Sequence, residues 1–191
     1  TVAYTVTFAE ETDLINVQTT ANAVVASGEA LQGNYSVTYH NNTLTITKAA
    51  ASELNLSATS YNDAYDAHEH SITASATVEG TTLYYSTVDP DSSDFDESNW
   101  STTAPTWTNV TAAQTVYVKA ENSNYNTAKA SATVTITPKA VNVTAKPVTK
   151  VYDGEPATIP EDNASVTGLL EGDTVAYTVT FAEETDLINV Q

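Results

Sequence analysis

Apolar and polar side chains alternate with a period of two in many parts of this chain. The clearest cases are residues 1–8, 43–47, 115–120 and 131–136. Such alternation is typical of strands with one buried and one solvated face. Turn signals, among them Glu79-Gly80 and Asp153-Gly154, separate the alternating stretches. The pattern predicts an all-β fold of Ig-like antiparallel β-sandwich domains arranged end to end.

Threonine strengthens this interpretation, because 34 of the 191 residues are Thr. Its β-branched side chain is stiff and suits the solvated face of a sheet. One stretch departs from the pattern. Residues 20–31 are rich in Ala, and for them we expect one or two helical turns.

An exact repeat is the strongest signal in the sequence. Residues 1–18 read TVAYTVTFAEETDLINVQ, and residues 174–191 repeat them without a change. The offset is 174 − 1 = 173 residues. An identity of this length indicates a tandem array in the parent protein, with units strung in series.

A fainter repeat lies inside that period. Asn34-Tyr35 and the strand pattern 45–47 recur 90 residues later as Asn124-Tyr125 and 135–137. The run Val151-Tyr152-Asp153-Gly154 likewise has a partner in Ala64-Tyr65-Asp66-Ala67. Each period therefore holds two related domains. We divide the chain into the C-terminal part of one domain (1–49), an intact domain (50–138) and the N-terminal part of the next (139–191).

Charge and composition exclude several classes of protein. The chain has 24 acidic and 6 basic side chains, a net charge of −18, and no cysteine. Nucleic-acid binding requires clustered basic residues, and disulfides or cysteine-ligated metals require cysteine. No apolar run reaches the ~18 residues of a membrane span. Only three histidines are present, without a nucleophile motif or a Gly-rich phosphate loop, so we expect no catalytic site.

The motif residues of the split domain resemble a known family. The resemblance rests on Val143-Thr144-Ala145-Lys146, Lys150 to Gly154, Val166-Thr167-Gly168-Leu169 with Gly172-Asp173, Asn34-Tyr35, and Leu44 to Thr47. Together they are similar to the MBG-type (Tyr-Gly motif) repeats of bacterial surface adhesins. The intact domain departs from the motif, since Ala67 replaces its glycine and an acidic insertion occupies 86–104. The resemblance implies an extracellular protein attached to the bacterial cell envelope, with such domains forming a stalk, and it implies no catalytic residues.

Two ligand sites are candidates within the intact domain. The acidic loop offers hard oxygen ligands that suit Ca²⁺, without EF-hand spacing, from Asp89, Asp91, Asp94 and Asp96. A solvated loop of repelling carboxylates is the alternative. Trp100 and Trp107 are candidates for an aromatic platform that takes host or matrix glycans, with core packing as the alternative. His68 and His70 flank Glu69, and we interpret them as exposed strand-edge residues rather than metal ligands.

The split domain leaves strand edges and apolar faces open, and such edges recruit other strands. We therefore expect neighbouring repeats to complete it head to tail, through Val2, Tyr4, Val6, Phe8, Val175, Tyr177, Val179 and Phe181. The two identical segments compete for one strand position. The sequence thus predicts a structural stalk or filament repeat of a bacterial surface adhesin that projects a distal binding region. The alternative function is a glycan-binding module that uses the Trp100/Trp107 region.

Overall fold

A computed structural model of the chain describes residues 1–183, 185, 187 and 188, and within them the fold is all-β, as the alternation predicted. The strands are β1 (Thr5–Phe8), β2 (Gln18–Ser27), β3 (Leu31–Gln32), β4 (Tyr35–Ser36), β5 (Asn42–Ile46), β6 (Ser57–Thr59), β7 (Tyr61–Ala64), β8 (Thr73–Ser75), β9 (Thr82–Ser86), β10 (Thr111–Glu121), β11 (Ala128–Thr137), β12 (Asn142–Ala145) and β13 (Ala164–Thr167). Two short 3₁₀ turns, Ala51–Leu54 and Glu97–Asn99, are the helical elements of the described residues. No helix there is long and apolar enough to cross a membrane.

The predicted intact domain, residues 50–138, contains the main hydrophobic core. Its central sheet has the strand order β7-β11-β10-β9. One face of β10 and β11 is buried, through Val116, Val118, Ala120, Ala132, Val134 and Ile136. The pair β6 and β8 supplies Ala58 and Ala74, which pack against this core together with Ile72 and Trp107. Strict alternation along these two long strands thus buries every second side chain.

Most strand pairs are antiparallel, but β11 pairs with β7 in parallel, with Val134 opposite Tyr61. The sequence pattern predicted antiparallel sheets and did not indicate this pair. Alternation reports which face of a strand is buried and carries no information on the direction of its neighbour. The finer prediction of two Ig-like sandwiches remains a prediction.

The N-terminal segment forms a separate three-stranded sheet, ordered β1-β2-β5. The expectation of helical turns over residues 20–31 is wrong, because most of that stretch belongs to β2 and to β3. β2 is hydrogen-bonded on both sides, and its Val24 and Val25 are β-branched residues that suit a strand. Sheet partners on two edges therefore override the helix propensity of the alanines.

The C-terminal segment carries one small sheet, in which β12 pairs with β13 from Asn142↔Thr167 to Ala145↔Ala164. The buried side chains Asn163 and Ala164 lie at its end. The Asn163 side-chain amide donates to the Lys146 carbonyl at 2.8 Å, and Lys146 N–H donates to the Asn163 carbonyl at 3.0 Å. Most other side chains between 139 and 183 are exposed, so the described residues give this segment little core of its own.

The two Tyr-Asp runs that suggested the fainter repeat adopt the same local structure. Asp66 Oδ1 accepts from His68 N–H at 2.9 Å, and Asp153 Oδ1 accepts from Glu155 N–H at 3.0 Å. The residue after each Asp is left-handed, with φ of 67° at Ala67 and 83° at Gly154. The replacement of the motif glycine by Ala67 therefore retains the turn, at a conformational cost of about 1 kcal/mol.

This cost gives a matched pair of tests. We expect Ala67→Gly to raise the unfolding free energy of the intact domain by about 0.5–1 kcal/mol, because glycine has no Cβ to strain at positive φ. Gly154→Ala should lower the stability of its own segment by a similar amount, since no atom lies within 4 Å of the added Cβ and only backbone strain opposes it. Urea unfolding measures the first change, and amide hydrogen exchange at Glu155, whose N–H is bonded to Asp153, measures the second. A loss of stability in Ala67→Gly would contradict the equivalence of the two turns.

Candidate functional site

The two identical segments differ in structure. In the first copy, β1 pairs with β2 from Thr5↔Ser27 to Phe8↔Val24. In the second copy, the corresponding residues, 174–181, form no strand. The sequence that supplies β2 follows the first copy at residues 18–27 and occurs once in these 191 residues. Because the two local sequences are the same, we attribute their difference in structure to the presence of a partner strand beside the first copy.

The apolar side chains of both copies lie at the surface. In the first copy, Val2, Tyr4, Val6 and Phe8 are 37–69% exposed. In the second, Val175 and Tyr177 are 37% and 38% exposed, whereas Val179 and Phe181 are half-buried. A cavity of about 540 Å³ separates residues 175–179 from residues 159–163. Six of the eight predicted self-association residues are thus exposed, and the role of all eight in association stays a prediction.

A network of hydrogen bonds at Asn124 joins the N-terminal segment to the intact domain. The Asn124 side-chain oxygen accepts from Val17 N–H at 2.9 Å, and its amide donates to the Asn16 side-chain oxygen at 2.8 Å. The Asn124 carbonyl accepts from Ala49 N–H at 2.9 Å, and the Ala49 carbonyl accepts from Asn126 N–H at 3.0 Å. We call this set the Asn124 joint. It ties three distant parts of the chain together, so the connection near residue 49 is held in place.

Sequence reasoning missed the Asn124 joint. Its signal was the pair Asn34-Tyr35 and Asn124-Tyr125, which was used only to align the repeats. Asn34 and Asn124 each end a turn, and the tyrosine that follows is β-paired, Tyr35 with Gln32 and Tyr125 with Ala49. The recurring Asn therefore marked a recurring turn, but of the two only Asn124 makes the side-chain contacts of the joint.

The structure places the two candidate tryptophans on different sides of the central sheet. Trp107 packs against the hydrophobic core. Val118 and Ala120, the neighbours of Lys119 along β10, point into the core, so Lys119 lies on the outer face. Trp100 lies on this outer face too, because the Lys119 ammonium is 5.0 Å from its ring centroid. The chain therefore does not bring Trp100 and Trp107 together, and a glycan platform on the outer face has to rely on Trp100.

Lys119, on this outer face, is in contact with two aromatic rings and two carboxylates. Its ammonium lies 5.0 Å from the ring centroids of both Tyr84 and Trp100, and its side chain is only 12% exposed. It contacts Glu121 at 2.9 Å and Glu97 at 3.5 Å. Burial alone would lower the pKa of Lys119, but hydrogen bonds and charge from Glu121 and Glu97 outweigh it and raise the pKa. The ammonium thus stays charged and holds the aromatic rings on either side.

The acidic loop uses its carboxylates on its own backbone. Asp89 Oδ1 accepts from Asp91 N–H at 2.9 Å, and Asp96 Oδ1 accepts from Ser98 N–H at 2.9 Å. The hydrogen bonds to Ser98 hold the pKa of Asp96 below its usual range. Among the described residues, no three acidic or imidazole side chains converge as metal ligands. The chain does not bring Asp89, Asp91, Asp94 and Asp96 together around one point, and Ca²⁺ binding stays a prediction.

The two histidines near the Tyr-Asp turn have different environments. The side chain of His68 is 79% exposed, whereas that of His70 is 17% exposed and stacks on Tyr61 at a ring distance of 4.0 Å. His70 Nε2 lies 2.8 Å from Asp66 Oδ1, and this hydrogen bond, with the His68 N–H, holds the pKa of Asp66 below its usual range. The expectation of two exposed histidines is therefore wrong for His70, which packs with Tyr61 at the margin of the core.

Comparisons with known proteins found a similarity in the C-terminal segment. Residues 137–187 match the family model of the YDG domain. The matched region, which we call the YDG segment, includes residues 174–187, and these are identical to residues 1–14. No curated protein and no solved structure matches the chain.

The Tyr-Asp-Gly turn of the YDG segment is fixed by a lysine. Lys150 Nζ lies 2.6 Å from Asp153 Oδ1 and donates to the Glu155 carbonyl at 2.7 Å. The hydrogen bond from Lys150, followed by that from Glu155 N–H, holds the pKa of Asp153 below its usual range. The side chains of Lys150 and Asp153 are 30% and 55% exposed, so solvent weakens this pair and its main effect is on local geometry.

The Asn124 joint leads to a direct test. Asn124→Ala removes the two side-chain hydrogen bonds to Asn16 and Val17 and leaves the backbone bonds with Ala49, so we expect a loss of about 1–2 kcal/mol from the joint. Amide hydrogen exchange at Val17 should become faster, while exchange in β10 and β11 should not change. Asn34→Ala is the matched control, because Asn34 has no side-chain hydrogen bond among the described residues. Equal exchange at Val17 in both variants would contradict the joint.

Proposed function

We propose that this chain is a structural stalk or filament repeat of an extracellular bacterial surface adhesin, which projects a distal binding region away from the cell. One observation carries the proposal. The same 18 residues occur 173 positions apart, paired with β2 in one copy and without strand structure in the other. A stretch of a serial array has this arrangement when it holds part of the same type of domain at each end.

Strand complementation is the proposed contact between neighbouring repeats. The first copy pairs with Val24 to Ser27 of β2, and the second copy has the same backbone groups and side chains. A β2 segment supplied by the next repeat fits beside residues 178–181 in the register that β2 adopts beside β1. The main-chain hydrogen bonds of such a pair give affinity, and the alternating apolar side chains give register.

The Asn124 joint supports a mechanical role. A spacer transmits position only when successive domains keep a fixed orientation, and free linkers coil instead. At this joint, side-chain and backbone hydrogen bonds hold Asn16, Val17 and Ala49 against the β10–β11 connection. Each unit then contacts mainly its neighbours, so repeats can be added without changing the fold of any one of them.

Charge and the family match fit the same role. A net charge of −18 makes neighbouring stalks repel each other and stay dispersed at a crowded cell surface. The YDG segment shares its Tyr-Asp turn geometry with the intact domain, so both halves of the period use one type of structural unit. We propose no catalytic role and no resident cofactor, and we propose neighbouring repeats of the same protein as the main partner.

Small-angle X-ray scattering of chains with one, two and three 173-residue periods tests the spacer function. We expect the maximum dimension to grow by a constant step of about 60–70 Å per period, because two domains with strands of about ten residues each extend ~34 Å. The Asn124→Ala change in every period should shorten this step by loosening the joints. A radius of gyration that follows the scaling of a compact globule would contradict the spacer function.

Proline substitutions test strand complementation. Thr180→Pro removes a backbone donor that faces β2 in the register of the first copy, so we expect it to abolish concentration-dependent association of the chain in sedimentation velocity. Thr7→Pro is the matched change in the first copy, where Thr7 pairs with Val25. It frees β2 for the second copy of another chain, so association should increase. Identical behaviour of both variants, or unchanged association in Thr180→Pro, would contradict the proposal.

A further inference from the structure

A cavity of about 200 Å³ lies on the outer face of the central sheet, at the base of the acidic loop. The loop contributes Asp89 and Asp91, and Trp100 follows its 3₁₀ turn. Strands β10 and β11 contribute Tyr117, Lys129 and Ser131. None of these residues belongs to the Asn124 joint or to the duplicated segments, so the cavity is separate from the contacts proposed between repeats.

The aromatic wall of this cavity is held in place. The Phe95 ring meets Trp100 edge to face, with centroids 5.5 Å apart and an interplanar angle of 68°. Lys119 contacts the same indole at 5.0 Å and does not line the cavity, so the ammonium and the cavity meet different parts of the ring. Lys119 is in turn fixed by Glu121 at 2.9 Å. A preformed aromatic surface lowers the entropy cost of binding a flat apolar ligand face.

The polar groups at the rim have unused hydrogen-bonding capacity. Within the described residues, the Asp91 carboxylate, the Lys129 ammonium and the Ser131 hydroxyl have no hydrogen-bond or ion-pair partner. They offer an acceptor, a donor and a group that does both. Tyr117 lines the same cavity, and its ring forms a second wall. A ligand that uses all three free groups needs donors and acceptors on one small ring.

We propose that this cavity binds one pyranose ring of a neutral saccharide. The apolar face of the ring packs on Trp100, two hydroxyls donate to Asp91 and Ser131, and one hydroxyl oxygen accepts from Lys129. An anionic sugar meets Asp89 and Asp91 in a chain of net charge −18, and a cationic ligand meets Lys129. A neutral polyol satisfies both signs of charge. This site goes beyond the proposed stalk function, because it gives every period its own ligand contact.

Saturation-transfer NMR on the whole chain tests the site. The probes are the methyl glycosides of glucose, galactose, mannose and N-acetylglucosamine, with methyl glucuronide and sialyllactose as anionic comparators. We expect saturation transfer to at least one neutral glycoside and weaker transfer to the anionic probes. Trp100→Ala should lower the affinity about tenfold through loss of the stacking surface, and Trp100→Phe should restore part of it.

Two further variants keep the test decisive if Trp100→Ala unfolds the domain. Asp91→Asn and Lys129→Ala each remove one rim group, and we expect each to weaken binding about threefold to tenfold. Asp94→Asn is the matched control, because it lies in the same loop outside the cavity, and binding should not change. No transfer to any neutral glycoside, a preference for the anionic probes, or equal binding by Asp91→Asn and Asp94→Asn would each overturn the proposal. These outcomes leave the stalk function untouched, since that function is measured by length.

Discussion

Backbone pairing between β1 and β2 is the interaction on which the rest of this structure depends. The eight residues before Ala9 and their exact copy before Ala182 have the same propensities and the same side chains, yet only the first copy contains a strand. Propensity therefore does not decide the outcome. A strand needs a partner for its N–H and C=O groups, and β2 is that partner. The strand of the first copy is thus completed by a segment that follows it along the chain.

The intact domain and the Asn124 joint show what a completed unit provides. Its core is buried on one face of β10 and β11, and its β10–β11 connection carries the asparagine that holds the preceding segment. The other face carries Lys119 beside Tyr84 and Trp100, together with the cavity that Trp100 lines. In the proposed array, each period combines a hydrogen-bonded connection with a separate surface cavity, so the length of the stalk and the proposed ligand contact depend on different residues.

Sequence reasoning predicted the all-β fold, because burial of Val116, Val118, Val134 and Ile136 follows directly from alternation with period two. It failed at residues 20–31, where Ala-rich composition suggested helix and two neighbouring strands imposed β2. It grouped Trp100 with Trp107, because closeness in sequence says nothing about which side of a sheet a loop residue reaches. The partners of Asn124 could not be predicted from the sequence either, because Asn16 lies 108 residues away and only the three-dimensional fold brings the two together.

Amide hydrogen exchange across residues 177–181 tests the central claim most directly, in the present chain and in one extended at its C-terminus by the sequence of residues 19–49. We predict rapid exchange at these amides in the present chain. In the extended chain, protection should approach that of Thr5–Phe8, because a second β2 is then available. Unchanged exchange in the extended chain would contradict the account, since the second copy would then fail to form a strand even beside its partner.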